Sequence, residues 1–278
     1  MLSHGATDAL VAAVREVARS EIMPRFRALS AEDITTKSGP DDLVTIADRA
    51  AEAALTDRIA ATLPGAAIVG EEAASDDSGI LNVLRGEGTV AIIDPVDGTW
   101  NYARGLATFG VIVAVQTGGR CVFGMIHDPV FDDWIAARRG EGAFLVRPGA
   151  VPARLSVRAP LPEAEETGYL PLGMFKPAER EVLAPILPRY ARVQSLRCSA
   201  HEYRMIASGH ADWLVAAQSK PWDHLAGQLL VEEAGGAWGT LDGSAYDPAR
   251  CDTILLAATS ERGLERLRGR VGGALRTG

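Results

Sequence analysis

The segment 90–99 reads Val-Ala-Ile-Ile-Asp-Pro-Val-Asp-Gly-Thr, a continuous apolar run that stops dead at a carboxylate and a proline. Four apolar residues in succession, bounded by turn formers, predict a strand. Its C-terminal end carries Asp94 and Asp97. A chain built around such a segment needs other elements to cover the sheet, and the flanking sequence supplies them. Leu10, Val11, Val14, Val17, Ala18 and Ile22 recur at helical spacing and predict a helix over 8–26, with Asp8 placed to cap it. A second helix is expected over 45–63, Ala-rich and closed by Pro64-Gly65. Between them, Lys37-Ser-Gly-Pro-Asp-Asp42 reads as a polar loop, and Ala66–Gly70 as a short strand running into Glu71-Glu72.

After residue 89 the pattern becomes a meander. Strands are expected at 109–116 and 121–127 around the hairpin signal Thr117-Gly-Gly-Arg120, then at 134–138 and 143–146. Arg147-Pro-Gly-Ala-Val-Pro152 has no periodicity and marks a boundary, giving an α+β unit over 1–150 and an α/β unit over 151–278. In the second unit helices are expected at 177–187, 200–208, 222–233 and 261–275, and strands at 193–197, 211–216 and 253–257. Gly235-Gly236 closes the third of these helices. Alternation of this kind favours layers of sheet with helices packed on them, an α+β or α/β fold.

The 278 residues hold 36 acidic and 28 basic side chains, a net charge of −8, with no basic run. Nucleic acid and anionic membrane surfaces call for clustered Lys and Arg, so neither is an expected partner. Cys121, Cys198 and Cys251 are odd in number and far apart, as in reduced cytoplasmic proteins. The N-terminus lacks the basic-then-apolar pattern of a signal peptide, and apolar runs such as Val111–Val115 are strand-sized. A cytoplasmic location is therefore expected.

Three acidic positions fall where strands end or helices begin: Glu71-Glu72, Asp94 with Asp97, and Asp223 after Pro221-Trp222. Hard cations such as Mg²⁺ take oxygen ligands, a few carboxylates completed by water and substrate phosphate. Asp94 and Asp97, three apart across a proline, can face one site and bridge two ions roughly 3.5–4 Å apart, the spacing that serves phosphoryl displacement. Gly98 and Thr99 add an anion site if a helix starts there, through free backbone N–H groups and close approach at Gly98. Singly, Asp-Gly also suits an ordinary turn and Glu-Glu a solvated face; together the pieces point to phosphate chemistry.

Asp94-Pro-Val-Asp-Gly-Thr-Trp-Asn-Tyr102 resembles a signature of the inositol monophosphatase family, and Trp222-Asp-His-Leu-Ala-Gly227, running to Glu233-Ala-Gly-Gly236, resembles its C-terminal signature. Lys37–Asp48, Gly70-Glu-Glu72 and Gly124-Met-Ile-His-Asp-Pro129 fit as well, in order, so the resemblance spans nearly the whole chain. It implies a layered αβαβα sandwich of the inositol monophosphatase and fructose-1,6-bisphosphatase type. It implies a Mg²⁺-dependent, Li⁺-sensitive phosphomonoesterase, usually a homodimer, using two or three ions. Glu71, Asp94 and the Val96 carbonyl would hold one ion, and Asp94, Asp97 and Asp223 another. Glu71 and Thr99 would position the attacking water, Asp48 would orient Thr99, and the Gly98 and Thr99 amides would bind phosphate. Lys37 would lie near water and metal on a mobile loop. Hydrolysis would be direct attack by a metal-activated water, without a phospho-enzyme.

Alcohol recognition departs from the inositol pattern. Inositol-acting members carry a Glu shortly before the Trp-Asp pair; here Ala216-Ala-Gln-Ser-Lys-Pro221 has no acid, and Lys220 stands three residues before Asp223. Arg197 and His201 occupy a stretch that is small-residue-rich in such members. Arg suits a second phosphate or carboxylate; the competing readings are a solvated Lys220 and an Arg197 paired with Glu202. Trp100 and Arg104 also differ from the usual Thr and His, which bears on substrate shape. The expected substrate is inositol-1-phosphate or a related polyol or sugar phosphate. The alternatives are histidinol phosphate, or a doubly anionic 3′-phosphonucleotide, NADP or bisphosphate sugar. A non-catalytic regulatory protein on the same scaffold would be expected to lack one of the metal carboxylates, and none is missing.

Overall fold

The computed structural model describes residues 2–39 and 42–277, so Pro40 and Asp41 of the Lys37–Asp42 motif lie outside the described residues. Helix α1 (His4–Val17) is followed by the hairpin β1 (Ile34–Gly39) and β2 (Asp42–Thr45), then α2 (Ile46–Thr62), β3 (Ala67–Gly70) and α3 (Glu71–Asp76). The first sheet continues with β4 (Thr89–Asp97), interrupted by the short helix α4 (Thr99–Ala103), then β5 (Gly110–Thr117), β6 (Arg120–Asp128), β7 (Asp133–Arg138), β8 (Gly142–Val146) and β9 (Ala153–Arg154). The second half supplies β10 (Thr167–Tyr169), α5 (Pro177–Leu183), β11 (Arg192–Gln194), α6 (Ser199–Ala207), β12 (Trp213–Ala216), α7 (Pro221–Glu233), β13 (Ala237–Thr240), β14 (Leu255–Ala258) and α8 (Glu261–Thr277).

Seven strands form one sheet in the order β3-β4-β5-β6-β7-β8-β9, with β3 parallel to β4 and every other pairing antiparallel. Alternate residues of its central strands enter two different cores. Ala91, Ile93, Val111, Val113, Phe123 and Met125 pack against Leu10, Val14, Ala51 and Leu55 of α1 and α2. Val90, Ile92, Ile112, Ala114 and Ile126 pack the other way, against Tyr203, Ile206, Leu225 and Leu229 of α6 and α7. Burial on both faces is why 90–93 is apolar at every position.

The second sheet runs β11-β10-β12-β14-β13. Leu214, Leu255 and Ala257 turn toward α6 and α7, while Trp213, Val215, Leu256 and Ala258 turn toward Leu183, Leu264, Leu267 and Val271 of α5 and α8. The result is a five-layer stack, α1α2 / seven strands / α6α7 / five strands / α5α8, a layered αβαβα sandwich. Among the described residues no helix is long and apolar enough to cross a membrane.

Three local expectations change. Of the polar stretch after residue 36, read as a loop, the residues up to Gly39 belong to β1 and Asp42 opens β2, because β-branched residues pair the two strands: Ile34 with Thr45 and Thr35 with Val44. The helix expected to reach residue 26 stops as an α-helix at Val17, widens into a π-turn over Ala18–Ile22, and ends in a tight turn at Met23–Arg25 around Pro24. The strand expected over 193–197 ends at Gln194, since Arg197 takes a left-handed backbone conformation (φ 53°) and turns the chain toward α6.

Candidate active site

Three chain segments bring carboxylates to one end of the molecule. β3 ends at Gly70 and hands Glu71 to the first turn of α3, β4 delivers Asp94 and Asp97, and α7 carries Asp223 in its first turn. They floor a cavity of about 730 Å³ whose walls include Trp100, Met174, Arg197 and Lys220. One ligand oxygen from each of Asp94, Asp97 and Asp223 lies within 4.8 Å of the others; Asp94 and Asp97 are buried and Asp223 half-buried. Glu71 stands outside that mutual group, its Oε1 accepting from Lys37 Nζ at 3.1 Å, while Glu72 Oε1 accepts from the same ammonium at 2.6 Å.

Asp94, Asp97 and Asp48 are fixed by backbone or side-chain donors. Asp94 accepts from the Val96 amide at 3.1 Å. Asp97 Oδ2 accepts from the Ala200 amide at 2.5 Å and the Cys198 thiol at 3.1 Å, tying the end of β4 to the start of α6. Gly98 caps α4 in a left-handed conformation (φ 86°, ψ 35°). Thr99 Oγ1 stands 3.0 Å from both Asp48 Oδ1 and the Val96 carbonyl. Asp48 Oδ2 in turn accepts from the Thr45 amide at 2.9 Å and from its hydroxyl, so one buried carboxylate both closes the capping box of α2 and orients Thr99.

The electrostatics describe a site short of positive charge. Burial first, then the neighbouring charges of Glu71, Asp97 and Asp223, push the Asp94 carboxyl well above the usual range. Burial and Asp223 likewise raise Asp97, and burial raises Asp48 to about 6 against its hydrogen bonds from Thr45 and Thr99. Burial works against the ammonium of Lys37, yet Glu71 and Glu72 outweigh it and hold its pKa above the ordinary value. Converging buried carboxylates that resist ionisation together, all offering oxygen donors, suit a hard divalent cation, whose binding would release their protons. The residues present fit such an ion.

The family model described as the inositol monophosphatase family matches residues 4–271. The chain belongs to this family. It is 33% identical over 213 residues to the inositol-1-monophosphatase of Bacillus subtilis (strain 168), covering 77% of this chain and 78% of that one. To the histidinol-phosphatase of Mycobacterium tuberculosis (strain H37Rv) it is 31% identical over 247 residues, 88% of this chain and 90% of the other. Its fold superposes on a Thermotoga maritima IMPase with a TM-score of 0.79 at 24% identity, covering 98% of each chain.

In this inositol monophosphatase family member, Glu71, Asp94, Val96, Asp97, Gly98, Thr99, Arg197, Lys220 and Asp223 all line the cavity. Asp48 and Lys37 reach it through Thr99 and Glu71. His201 does not belong with them. Its Nε2 lies 3.1 Å from the Phe109 carbonyl, on the face of α6 turned to the first sheet, and burial lowers its pKa. It is packed against the first sheet and, unlike the expected substrate contact, does not line the cavity. The Glu202 carboxylate accepts from the Leu196 amide at 2.7 Å, and the Arg197 guanidinium lies 4.1 Å from the Trp100 ring centroid. Lys220 sits 5.8 Å from the Trp222 ring. Burial opposes its charge, and Asp223, Glu71 and Asp42 more than compensate, so its pKa is raised. His224, buried at the base of the cavity, meets the Tyr203 hydroxyl through Nδ1 at 3.1 Å, a structural contact.

Glu202 gives a pH-dependent prediction. Burial raises its pKa to about 8 from 4.5, against the Leu196 and Ser195 hydrogen bonds. The folded state therefore holds a proton that the unfolded chain releases. That stabilisation is whole below about 4.5 and is lost as pH rises toward 8. Denaturant unfolding at pH 5 and pH 8 should show stability falling with pH, and Glu202→Gln should flatten that fall. An unchanged slope in the variant would remove Glu202 as its source.

Proposed function

We propose that the protein is a Mg²⁺-dependent phosphomonoesterase that hydrolyses a small phosphorylated alcohol, with water attacking phosphorus in line with the departing alcohol oxygen. The observation that carries this reading is the convergence of Asp94, Asp97 and Asp223 within 4.8 Å on the floor of a 730 Å³ cavity. Glu71, Asp94 and the Val96 carbonyl would hold one ion and Asp94, Asp97 and Asp223 another, with two or three bound in all. Bound there, such ions supply positive charge to the phosphoryl oxygens and acidify water.

The chain's own groups account for the rest. When the Thr99 hydroxyl donates to Asp48, its lone pairs are left to accept a hydrogen bond from water, and the Glu71 carboxylate beside it would take the proton that the water gives up on attack. The Gly98 and Thr99 amides, at the left-handed turn that opens α4 in the cavity wall, would bind the phosphoryl oxygens. Lys37 bridges Glu71 and Glu72 by donating to both, offsetting their mutual repulsion. The P–O bond to the alcohol breaks, and alcohol and inorganic phosphate leave. We further take the division at residue 150, the homodimer, the cytoplasmic location and sensitivity to Li⁺ as parts of the same reading.

The cavity's upper wall favours an anionic substrate, since Arg197 and Lys220 bring two cations to it. Phosphate release with Mg²⁺, with and without Li⁺, tests both levels. The panel is inositol-1-phosphate, histidinol phosphate, fructose-1,6-bisphosphate, 3′-phosphoadenosine 5′-phosphate and NADP. No release from any member would sink the phosphatase reading. Arg197→Ala should raise KM about tenfold or more for doubly anionic substrates and little for simple ones, a charge-assisted contact contributing about 1.5–3 kcal/mol. An equal rise for both would make Arg197 a structural residue.

A further inference from the structure

Two buried carboxylates lie one turn apart on α2, Asp48 and Glu52. Asp48 serves Thr99. Glu52 reaches the other side of the site: its Oε2 accepts from the Glu72 amide at 2.8 Å and its Oε1 from the Ala73 amide at 2.9 Å. These are orphan donors of the first turn of α3, a helix whose own N-cap is Gly70 and provides no side-chain cap. Gly70 is also what admits Glu52. A Cβ there would fall 2.2 Å from the Glu52 carboxyl carbon and within 2.6 Å of both its oxygens.

A carboxylate in the first turn of a helix is drawn back onto that turn's free amides. With the Glu72 and Ala73 amides already taken by Glu52, the Glu71 side chain is left to Lys37 and the cavity. We propose that Glu52 is a positioning residue for Glu71, fixing the first turn of α3 and so the angle at which the Glu71 carboxylate enters the cavity. The proposal rests on the phosphatase reading, in which Glu71 binds cation and water. The α2 helix then holds both members of the water-positioning pair, Thr99 through Asp48 and Glu71 through Glu52.

The test is Glu52→Gln, which keeps side-chain volume but sets an NH₂ against an amide that needs an acceptor. It is made in the wild-type and Glu71→Gln backgrounds. Mg²⁺ binding is measured by calorimetry without substrate, beside thermal unfolding of the cation-free protein and phosphate release. Removing such a supporting contact weakens metal binding about 10–100-fold. That loss is expected in the wild-type background and should vanish in Glu71→Gln, because the effect travels through Glu71. Equal losses in both backgrounds would overturn the proposal and leave Glu52 a support of the fold. Wild-type Mg²⁺ binding and turnover in Glu71→Gln alone would instead fail the underlying assignment of Glu71, and the proposal with it. Should Glu52→Gln not fold, Gly70→Ala, which displaces the same carboxyl, is read in the same way; collapse of both variants overturns the proposal.

Discussion

Asp94→Asn should lower phosphate release by about 10³-fold or more while leaving the cation-free protein as stable as the wild type, or more so. Asp94 is 1% exposed and faces Glu71, Asp97 and Asp223, so its carboxyl is held well above the usual range by burial and by their charges. Asparagine keeps an oxygen for the Val96 amide and removes one source of that repulsion. What it cannot replace is the negative ligand shared between both expected cation sites. Cation stabilisation of phosphoryl transfer is worth several kcal/mol, and each 1.36 kcal/mol is a factor of ten in rate. Thermal unfolding separates the two effects. Mg²⁺ should raise the wild-type midpoint, as any ligand of the native state does, and should barely move that of the variant. Turnover within tenfold of wild type would remove Asp94 from the site.

The parts legible in the sequence are those where local pattern and chemistry coincide. Val90–Ile93 had to be a strand, and the carboxylates after it had to sit at its end, because an apolar run buried on both faces leaves its polar residues only the sheet edge. The long helices α2, α7 and α8 were legible from their periodicity and their breakers. The side to which a residue at a junction points was less so. Arg197 lies between β11 and α6 and His201 in the first turn of α6, yet His201 faces the Phe109 carbonyl and Arg197 the cavity. The difference comes from the left-handed conformation at Arg197, which no propensity signals for an arginine. Glu52 was illegible for another reason. Its partners are backbone amides some 20 residues away, and a helical carboxylate carries no mark of what it will cap. The pairing of β1 with β2 was hidden because the polar residues Lys37, Gly39 and Asp42 at the strand ends outweighed the few β-branched residues that pair beside them.

Gly98→Ala should cost about 2–5 kcal/mol of stability and reduce turnover about 10²-fold. An L-residue in the left-handed region is strained by about 1–2 kcal/mol, and Gly98 sits there with φ 86°. Space is the second obstacle. The added carbon would lie 2.9 Å from the Thr108 carbonyl oxygen and 3.2 Å from Cys198 Cβ. Neither can easily give way, since that carbonyl already accepts from Asn101 Nδ2 at 2.8 Å and the Cys198 thiol donates to Asp97. Overpacking of this kind adds about 1–3 kcal/mol, and the strain is relieved by shifting the turn that presents the Gly98 and Thr99 amides. Misplacement by about 1 Å is enough for a 10²-fold loss. Gly119 supplies the control: its φ of 70° is also left-handed, but nothing lies within 4 Å of the position its Cβ would take in the β5–β6 turn. Gly119→Ala should show the conformational cost alone, with turnover unchanged. If Gly98→Ala loses no more stability and activity than Gly119→Ala, close packing at the turn is not what sets the phosphate-binding amides.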